Sequence, residues 1–216
     1  MCCGTCFPQR PRKAVKNHPA MPWRDVQAFM VDLKGKELLS ARALEWTILT
    51  AVRTSDTLHA SWQEIDEVAR LWTIPPERTK NGRPHRVPLS RQALALLSLL
   101  RREIGSVLFP NKDGMPMSNM TMQKLLKSIR PGLTVHGFRS TAKDWCAEHG
   151  IQNEVSEAML GHSVAKNQTE AAYLRTDYLD ERRKVMQRWA DFILPAPKPV
   201  QPQGRGIRRS GWMVGG

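Results

Sequence analysis

The chain has 216 residues, 41% of them apolar, and 33 basic against 20 acidic side chains give it a formal net charge of +13. That length supports one domain with a core of its own and flanking tails. No apolar run approaches the ~18 residues that cross a bilayer, and no apolar segment follows the charges of MCCGTCFPQRPRK, so neither a membrane span nor a secretory signal is expected.

The positive charge is unevenly placed. Residues 1–20 hold Arg10, Arg12, Lys13 and Lys16 and no acid, and residues 195–216 hold Lys198, Arg205, Arg208 and Arg209 and no acid, which leaves +5 on the body between them. Both ends are rich in Pro, Gly and polar residues and read as disordered basic arms. Such arms suit a polyanion, because binding phosphates releases their counterions; solubility alone also accounts for them. Cys2, Cys3 and Cys6 crowd the N-terminus and Cys146 stands alone, which is no disulfide framework. A zinc site on Cys2, Cys3, Cys6 and His18 lacks the two separated ligand pairs of structural sites. The expectation is a reduced, cytoplasmic protein without metal or cofactor.

In chain order, PWRDVQAFMVDL predicts a short helix. Ser40 is placed to cap a second, whose Leu44, Ile48, Leu49 and Val52 repeat at helical spacing, with Arg53 at its C-terminal end. Asp56 opens a shorter helical stretch through Trp62. Leu71–Ile74 and His85–Leu89 read as strands flanking a polar turn at Asn81-Gly82, with Lys80 on that hairpin. Ser90 begins the helix RQALALLSLLRREIG, stopped by Gly105, and another capped helix runs from Ser118 to Arg130. In TVHGFRSTAKDWCAEHG, Thr134 is a cap, His136 and Arg139 share a helical face, and Gly150 ends the turn. Asn153–Leu160 is a short helix stopped by Gly161, leaving His162 at its exit. The last helical region, TEAAYLRTDYLDERRKVMQRWADFI, holds Tyr173 and Tyr178, the chain's two tyrosines.

Familiar hydrolytic signatures are missing: there is no P-loop, no G-x-S-x-G, no H-E-x-x-H and no converging carboxylate set for two metals. What stands out is a cation set, Arg53, Lys80, His136, Arg139 and His162, followed by Tyr173. Singly, each has an ordinary explanation: Arg53 as a helix C-terminal cation, Lys80 as turn decoration, the others as polar-face residues.

Taken in order, the strings TAVRTSDTLHASWQEID, RTKNGRPHRVPLS, TVHGFRSTAKDW, MLGH and AAYLRTDYLDERRKVMQRWADF resemble the tyrosine recombinases, or phage integrases, over roughly residues 22–193. The likeness is greatest to integrases of the temperate and satellite-phage type. The resemblance implies a mainly α fold with a small antiparallel β-sheet (α+β), the catalytic-domain fold of that family, over residues 22–194. Residues 1–21 are then a basic flexible segment resembling a linker remnant, and 195–216 a disordered Pro/Gly-rich tail.

The resemblance also implies roles. Tyr173 attacks the scissile phosphate, leaving a 3′-phosphotyrosyl link and a free 5′ hydroxyl. Arg53 and Arg139 hold the non-bridging oxygens, Lys80 protonates the leaving oxygen, His136 assists proton transfer and His162 donates to the phosphate. The chemistry suits these residue types: a phenol of pKa about 10 costs roughly 4 kcal/mol to ionise at neutral pH, and paired guanidinium forks match phosphate oxygens. The covalent link conserves the bond energy, so the expected reaction needs neither ATP nor metal. Tyr178 competes as nucleophile, but five residues along a continuous helix is about 140° around the axis, and the pattern A-Y-x-R-x-D falls on Tyr173. Trp189 reads as core or partner-docking.

The sequence departs from the family in two ways. Only about twenty residues precede Pro22, so the chain reads as an integrase lacking its core-binding domain, and Asp56 stands where glutamate is commoner. The expected partners are double-stranded DNA and either a second copy or a full-length integrase on DNA, without membrane or small-molecule substrate, in the bacterial nucleoid. Two alternatives are a non-catalytic DNA-binding remnant and a regulator of a full-length integrase.

Overall fold

The computed structural model describes residues 19–100, 107–162 and 176–195. The expectations for Tyr173, Gly105, the N-terminal cysteines and nearly all of both basic tails therefore lie outside the described residues.

Helix α2 (Leu39–Thr50) is the centre of the core, with nine of its twelve residues buried. A helix buried all round needs neighbours on every side. α1 (Val26–Lys34), α3 (Thr54–Leu58), α4 (Arg91–Ser98), α5 (Met120–Ile129), α6 (Gly137–Glu148) and α8 (Leu179–Ile193) all pack on it. Its buried hydroxyls and carboxylate are satisfied locally: the Thr47 and Thr50 hydroxyls donate to the Ala43 and Trp46 carbonyls at 2.8 and 2.7 Å, and Glu45 accepts from Arg42 at 2.8 Å. Ser40 does not cap this helix. The N-cap is Leu38, which makes no side-chain cap bond, and Arg42 ties the entry down by donating to the Lys34 and Lys36 carbonyls at 3.1 and 3.4 Å.

Three antiparallel strands, β1 (Ile65–Asp66), β2 (Leu71–Ile74) and β3 (His85–Pro88), form the sheet in the order β1-β2-β3. The register pairs Trp72 with Val87 and Ile74 with His85, and strand period 2 sends Trp72 and Ile74 inward. Trp72 packs against Trp46 at 5.5 Å and donates its indole N–H to Glu64 at 2.9 Å. Ser90 caps α4 as expected, accepting from the Ala93 N–H at 3.2 Å. The helix is shorter than its apolar run, because Leu99 and Leu100 turn into i→i−3 bonds to Leu96 and Leu97.

The last region is not one continuous helix. α8 begins at Leu179, and Tyr178 before it is left-handed at φ 54°. Asp177 draws the chain onto β3: its carboxylate pairs with Arg86 at 2.8 Å and Arg182 at 3.6 Å, and its carbonyl accepts from Arg182 at 3.0 Å. The 140° argument separating the two tyrosines therefore loses its premise, although Tyr178 packs against the core, as a packing residue would. Trp189 is core: it is fully buried, lies 5.3 Å from Trp145, and donates to the Ile48 carbonyl at 2.8 Å. Replacing Trp189 by phenylalanine keeps most of the bulk but strands that buried carbonyl, so unfolding in urea will show a loss of about 1–3 kcal/mol.

α7 (Asn153–Met159) and α6 complete the helical set. Residues Pro19–Met21 cross the start of α6, where the Thr134 N–H donates to the Pro19 carbonyl at 3.2 Å and the Thr141 hydroxyl to the Met21 carbonyl at 2.6 Å. Gly137 permits that crossing, because a β-carbon there would collide with the Pro19 carbonyl. Gly137→Ala is expected to lower Tm by dislodging residues 19–21, and protease nicking near Pro22 will report it.

Candidate active site

Two helix ends build the site. α2 terminates at Ala51, which takes the left-handed conformation at φ 53°, costing roughly 1–2 kcal/mol for a residue with a β-carbon. The chain thereby turns at once into α3, and Arg53 is its N-cap residue rather than the last cation of α2. Its side chain is 31% exposed. Asp56 supports Arg53 chiefly through the backbone, accepting from the Arg53 N–H at 3.3 Å, while its carboxylate lies 4.0 Å from Nη1. Burial raises the Asp56 pKa, against the opposing pull of the Arg53, Arg78 and Arg139 charges.

The second end is that of α7. Gly161 is left-handed at φ 65°; its N–H donates to Ala158 at 3.1 Å, and the His162 N–H donates back to the Glu157 carbonyl at 3.0 Å. This is the double bond pattern of a Schellman stop. Gly161 is needed twice over, since a β-carbon there would also press on the His85 ring at 3.2 Å.

Arg139, on α6, joins the two ends. Nη1 donates to the Ala51 carbonyl at 2.7 Å, Nη2 donates to the Leu160 carbonyl at 2.6 Å, and Nη2 lies 3.1 Å from His162 Nε2. Arg53 Nη2 donates to the adjacent Gly161 carbonyl at 3.4 Å. The carbonyls left over at a helix C-terminus carry its partial negative charge, and here they hold a guanidinium that is only 5% exposed. Among the described residues no carboxylate lies within ion-pair distance of Arg139. Burial and the neighbouring Arg53 charge lower its pKa to about 10, with Asp56 and Glu157 opposing from farther off, so it remains a cation at neutral pH. The arrangement is two guanidiniums bound to adjacent carbonyls, paired among the described residues only with the Asp56 carboxylate 4.0 Å from Arg53, a receptor for an oxyanion.

His162, His136 and Lys80 sit on three different elements. His162 is half-exposed, its Nδ1 held 2.6 Å from Glu157 Oε2. His136 occupies the exposed N-cap of α6, one turn before Arg139. Lys80 is exposed in the loop between a 3-10 turn at Pro76–Arg78 and β3. That loop is braced by Thr79, whose hydroxyl lies 2.9 Å from the Pro76 carbonyl and 2.7 Å from that of Arg83, and by Arg78, which donates to Glu64 at 2.6 Å. Arg53, Arg139 and His162 are thus in one cluster. His136 begins the helix that carries Arg139, Lys80 is on the loop leading into β3, and Tyr173 lies outside the described residues.

Two residues of the cluster are not among the expected site residues. Glu157 accepts from both His162 and Lys143. Burial works to raise its pKa, but the hydrogen bonds and charges of Lys143 and His162 prevail and lower it. Spacing offered a hint, for Lys143 is four residues after Arg139 on α6, hence on the same face. His85 is the other. Its ring abuts Gly161, it hydrogen-bonds the Met159 backbone, and its Nε2 is sealed from solvent without a hydrogen-bond partner. Burial first, then the charges of Arg182, Arg139 and Arg53, depress its pKa to about 3. An open groove lined by Leu38, Leu39, Pro110, Lys112, Met117 and Thr121 shares no residue with this site. No group of three or more His, Cys, Asp or Glu placed to hold a metal occurs among the described residues, and no described helix is long and apolar enough to cross a membrane.

Comparison with known proteins adds three findings. The family model described as "Phage integrase family" matches residues 21–179. Prophage integrase IntA of Escherichia coli K12 is 38% identical over 201 residues, covering 89% of this chain and 48% of that protein. The integrase of Enterobacteria phage P4 is 33% identical over 203 residues, covering 82% and 46%. The chain thus spans about half the length of these relatives. Among solved structures, the integrase from mycobacterium phage Brujita superposes with a TM-score of 0.58 at 17% identity, over 92% of this chain and 64% of that one. A lambda integrase dimer bound to a COC′ core site gives 0.55 at 18% identity, over 73% and 63%. These likenesses agree with the mainly helical fold and small antiparallel sheet.

Proposed function

Because the chain belongs to the phage integrase family, we propose that it breaks and rejoins DNA strands through a phosphotyrosyl intermediate. The observation that carries the proposal is the pair Arg53 and Arg139, held side by side by the carbonyls of Ala51, Leu160 and Gly161. A phosphodiester fits this pair. Its two non-bridging oxygens take the N–H groups of the forks, and charge gained in the transition state meets donors already in place.

The reaction then divides among the remaining groups. The Tyr173 phenol oxygen bonds to phosphorus while the P–O5′ bond breaks. The phenol proton passes toward His136, and Lys80 on its exposed loop supplies the proton that the departing 5′ oxygen takes up. His162 donates to a non-bridging oxygen. Rejoining is the reverse, with a 5′ hydroxyl attacking the phosphotyrosine; a different strand gives recombination, and the same strand gives relaxation of supercoils.

Duplex DNA is the proposed partner, in keeping with the lambda integrase dimer bound to a COC′ core site and the Tn1549 transposon integrase in complex with circular intermediate DNA. Self-association, or assembly with a full-length integrase on the same DNA, belongs to the same proposal. The test is a nicked suicide duplex, from which the short strand carrying the new 5′ hydroxyl diffuses away and prevents rejoining. The expected product is a denaturant-stable protein–DNA adduct that maps by proteolysis and mass spectrometry to Tyr173. DNA binding with no adduct would overturn the catalytic reading in favour of a phosphate-binding module, and an adduct on Tyr178 would overturn the nucleophile.

A further inference from the structure

We infer that Glu157, braced by Lys143, is the positioning residue that fixes which nitrogen of His162 carries the proton and turns the other toward the Arg53–Arg139 pocket. The inference rests on the reading of that pocket as the phosphate site and concerns how one of its donors is set.

The geometry comes from the backbone upward. The Schellman stop at Gly161 bonds the His162 N–H to the Glu157 carbonyl at 3.0 Å, so residues five apart in sequence are brought beside each other. Their side chains then meet, with Nδ1 2.6 Å from Oε2. The opposite face of the ring is also committed: Nε2 lies 3.1 Å from Arg139 Nη2. A guanidinium has only donors, so Nε2 must be the acceptor and Nδ1 must carry the hydrogen, which it gives to Glu157. A carboxylate is the right partner, being an acceptor at both oxygens. Its second oxygen takes the Lys143 ammonium, which pins the carboxylate from α6. Arg53 faces the same turn through the Gly161 carbonyl, and His85 abuts it from β3. Around His162, therefore, Glu157 is the one carboxylate in contact among the described residues, facing Arg139, Arg53, Lys143 and His85.

The consequence concerns the approach of an anion. A phosphate entering the pocket competes for the Arg139 fork and exposes Nε2 to an acceptor. With Nδ1–H held on Glu157, Nε2 takes a second proton from solvent and donates it to a non-bridging oxygen without rotation of the ring. If Nε2 carried the proton in the resting protein, two donors would face each other at 3.1 Å.

Nitrogen-15 NMR of histidine-labelled protein reads the tautomer directly and needs no DNA. In the wild type His162 is expected in the Nδ1–H form. Glu157→Gln cannot offer acceptors to both Lys143 and His162, and its amide N–H₂ turned to Nδ1 drives the ring toward the Nε2–H form. The Nδ1–H signal is then lost while the amide spectrum stays folded, and single-turnover cleavage falls roughly tenfold or more. Glu157→Asp restores the Nδ1–H form in part. In a His162→Asn background, Glu157→Gln should change the rate less than about twofold, since its action passes through the ring. Retention of the Nδ1–H form in a folded Glu157→Gln protein would overturn the inference, as would an equal loss of rate in the His162→Asn background. The NMR readout separates this from the functional proposal: a Glu157-dependent tautomer in a protein that forms no adduct supports the clamp and sinks only the cleavage reading.

Discussion

Arg139→Lys is expected to lower cleavage of a suicide duplex by roughly a hundredfold to a thousandfold, the range for removing one preorganised donor from a developing oxyanion. The structure gives the reason. The Arg139 fork spans the Ala51 and Leu160 carbonyls at 2.7 and 2.6 Å and still presents an N–H beside His162. One ammonium cannot occupy both ends of that fork. At least one buried helix-end carbonyl is left without a donor, at about 1–3 kcal/mol, so the variant should lose stability as well as activity. Arg53→Lys provides the contrast. Arg53 is 31% exposed and makes one long bond to Gly161, so its replacement should cost activity while moving the urea midpoint little. Single-turnover kinetics and urea unfolding on the two variants check both halves, and Arg139→Lys cleaving within threefold of the wild type would remove Arg139 from the reaction.

The protein should also lose stability on mild acidification, and His85 is one residue responsible. In the folded protein its pKa is depressed from 6.5 to about 3 by burial and by the charges of Arg182, Arg139 and Arg53. Between those values the unfolded chain binds a proton that the folded protein refuses, so stability rises with pH across that window and falls as pH drops from 6.5 toward 3. By pH 4 the loss from this one group is about 3 kcal/mol. Asp56, whose pKa is raised, acts in the opposite sense among the carboxylates, so total stability does not isolate His85. A difference does. His85→Asn keeps a side-chain N–H for the Met159 carbonyl but has nothing to protonate. The gap between wild-type and variant unfolding free energies should therefore shift by about 3 kcal/mol between pH 7 and pH 4. A constant gap would show that His85 is protonated freely in the folded protein.

Much of the local structure was written in the residues. The cap at Ser90, the stop at Gly161 and the hairpin strands on either side of Lys80 follow from hydrogen-bonding capacity, backbone preference and periodicity. These act over a few positions and can be read there. The differences fell where a group outside the local pattern decided the outcome. Leu38 rather than Ser40 precedes α2 because Arg42 secures the entry. Arg53 begins a helix instead of ending one because Ala51 turns left-handed beneath Arg139. The final helix starts at Leu179 because Asp177 is drawn to Arg86, 91 positions away in sequence.

The motif strings named Arg53, Arg139 and His162 as members of one set, and side-chain chemistry alone said what a pair of guanidiniums and an imidazole are good for. How a buried arginine stays charged without a carboxylate in contact was not in those strings. That depends on two helix ends, from α2 and α7, aiming their leftover carbonyls at one point, which only packing of the whole chain achieves. Glu157 and His85 escaped notice for the same reason: nothing in their own neighbourhoods along the chain distinguishes a surface glutamate or a strand histidine. Each acquires its part only when the turn at Gly161 sets one against His162 and the other against its own α-carbon.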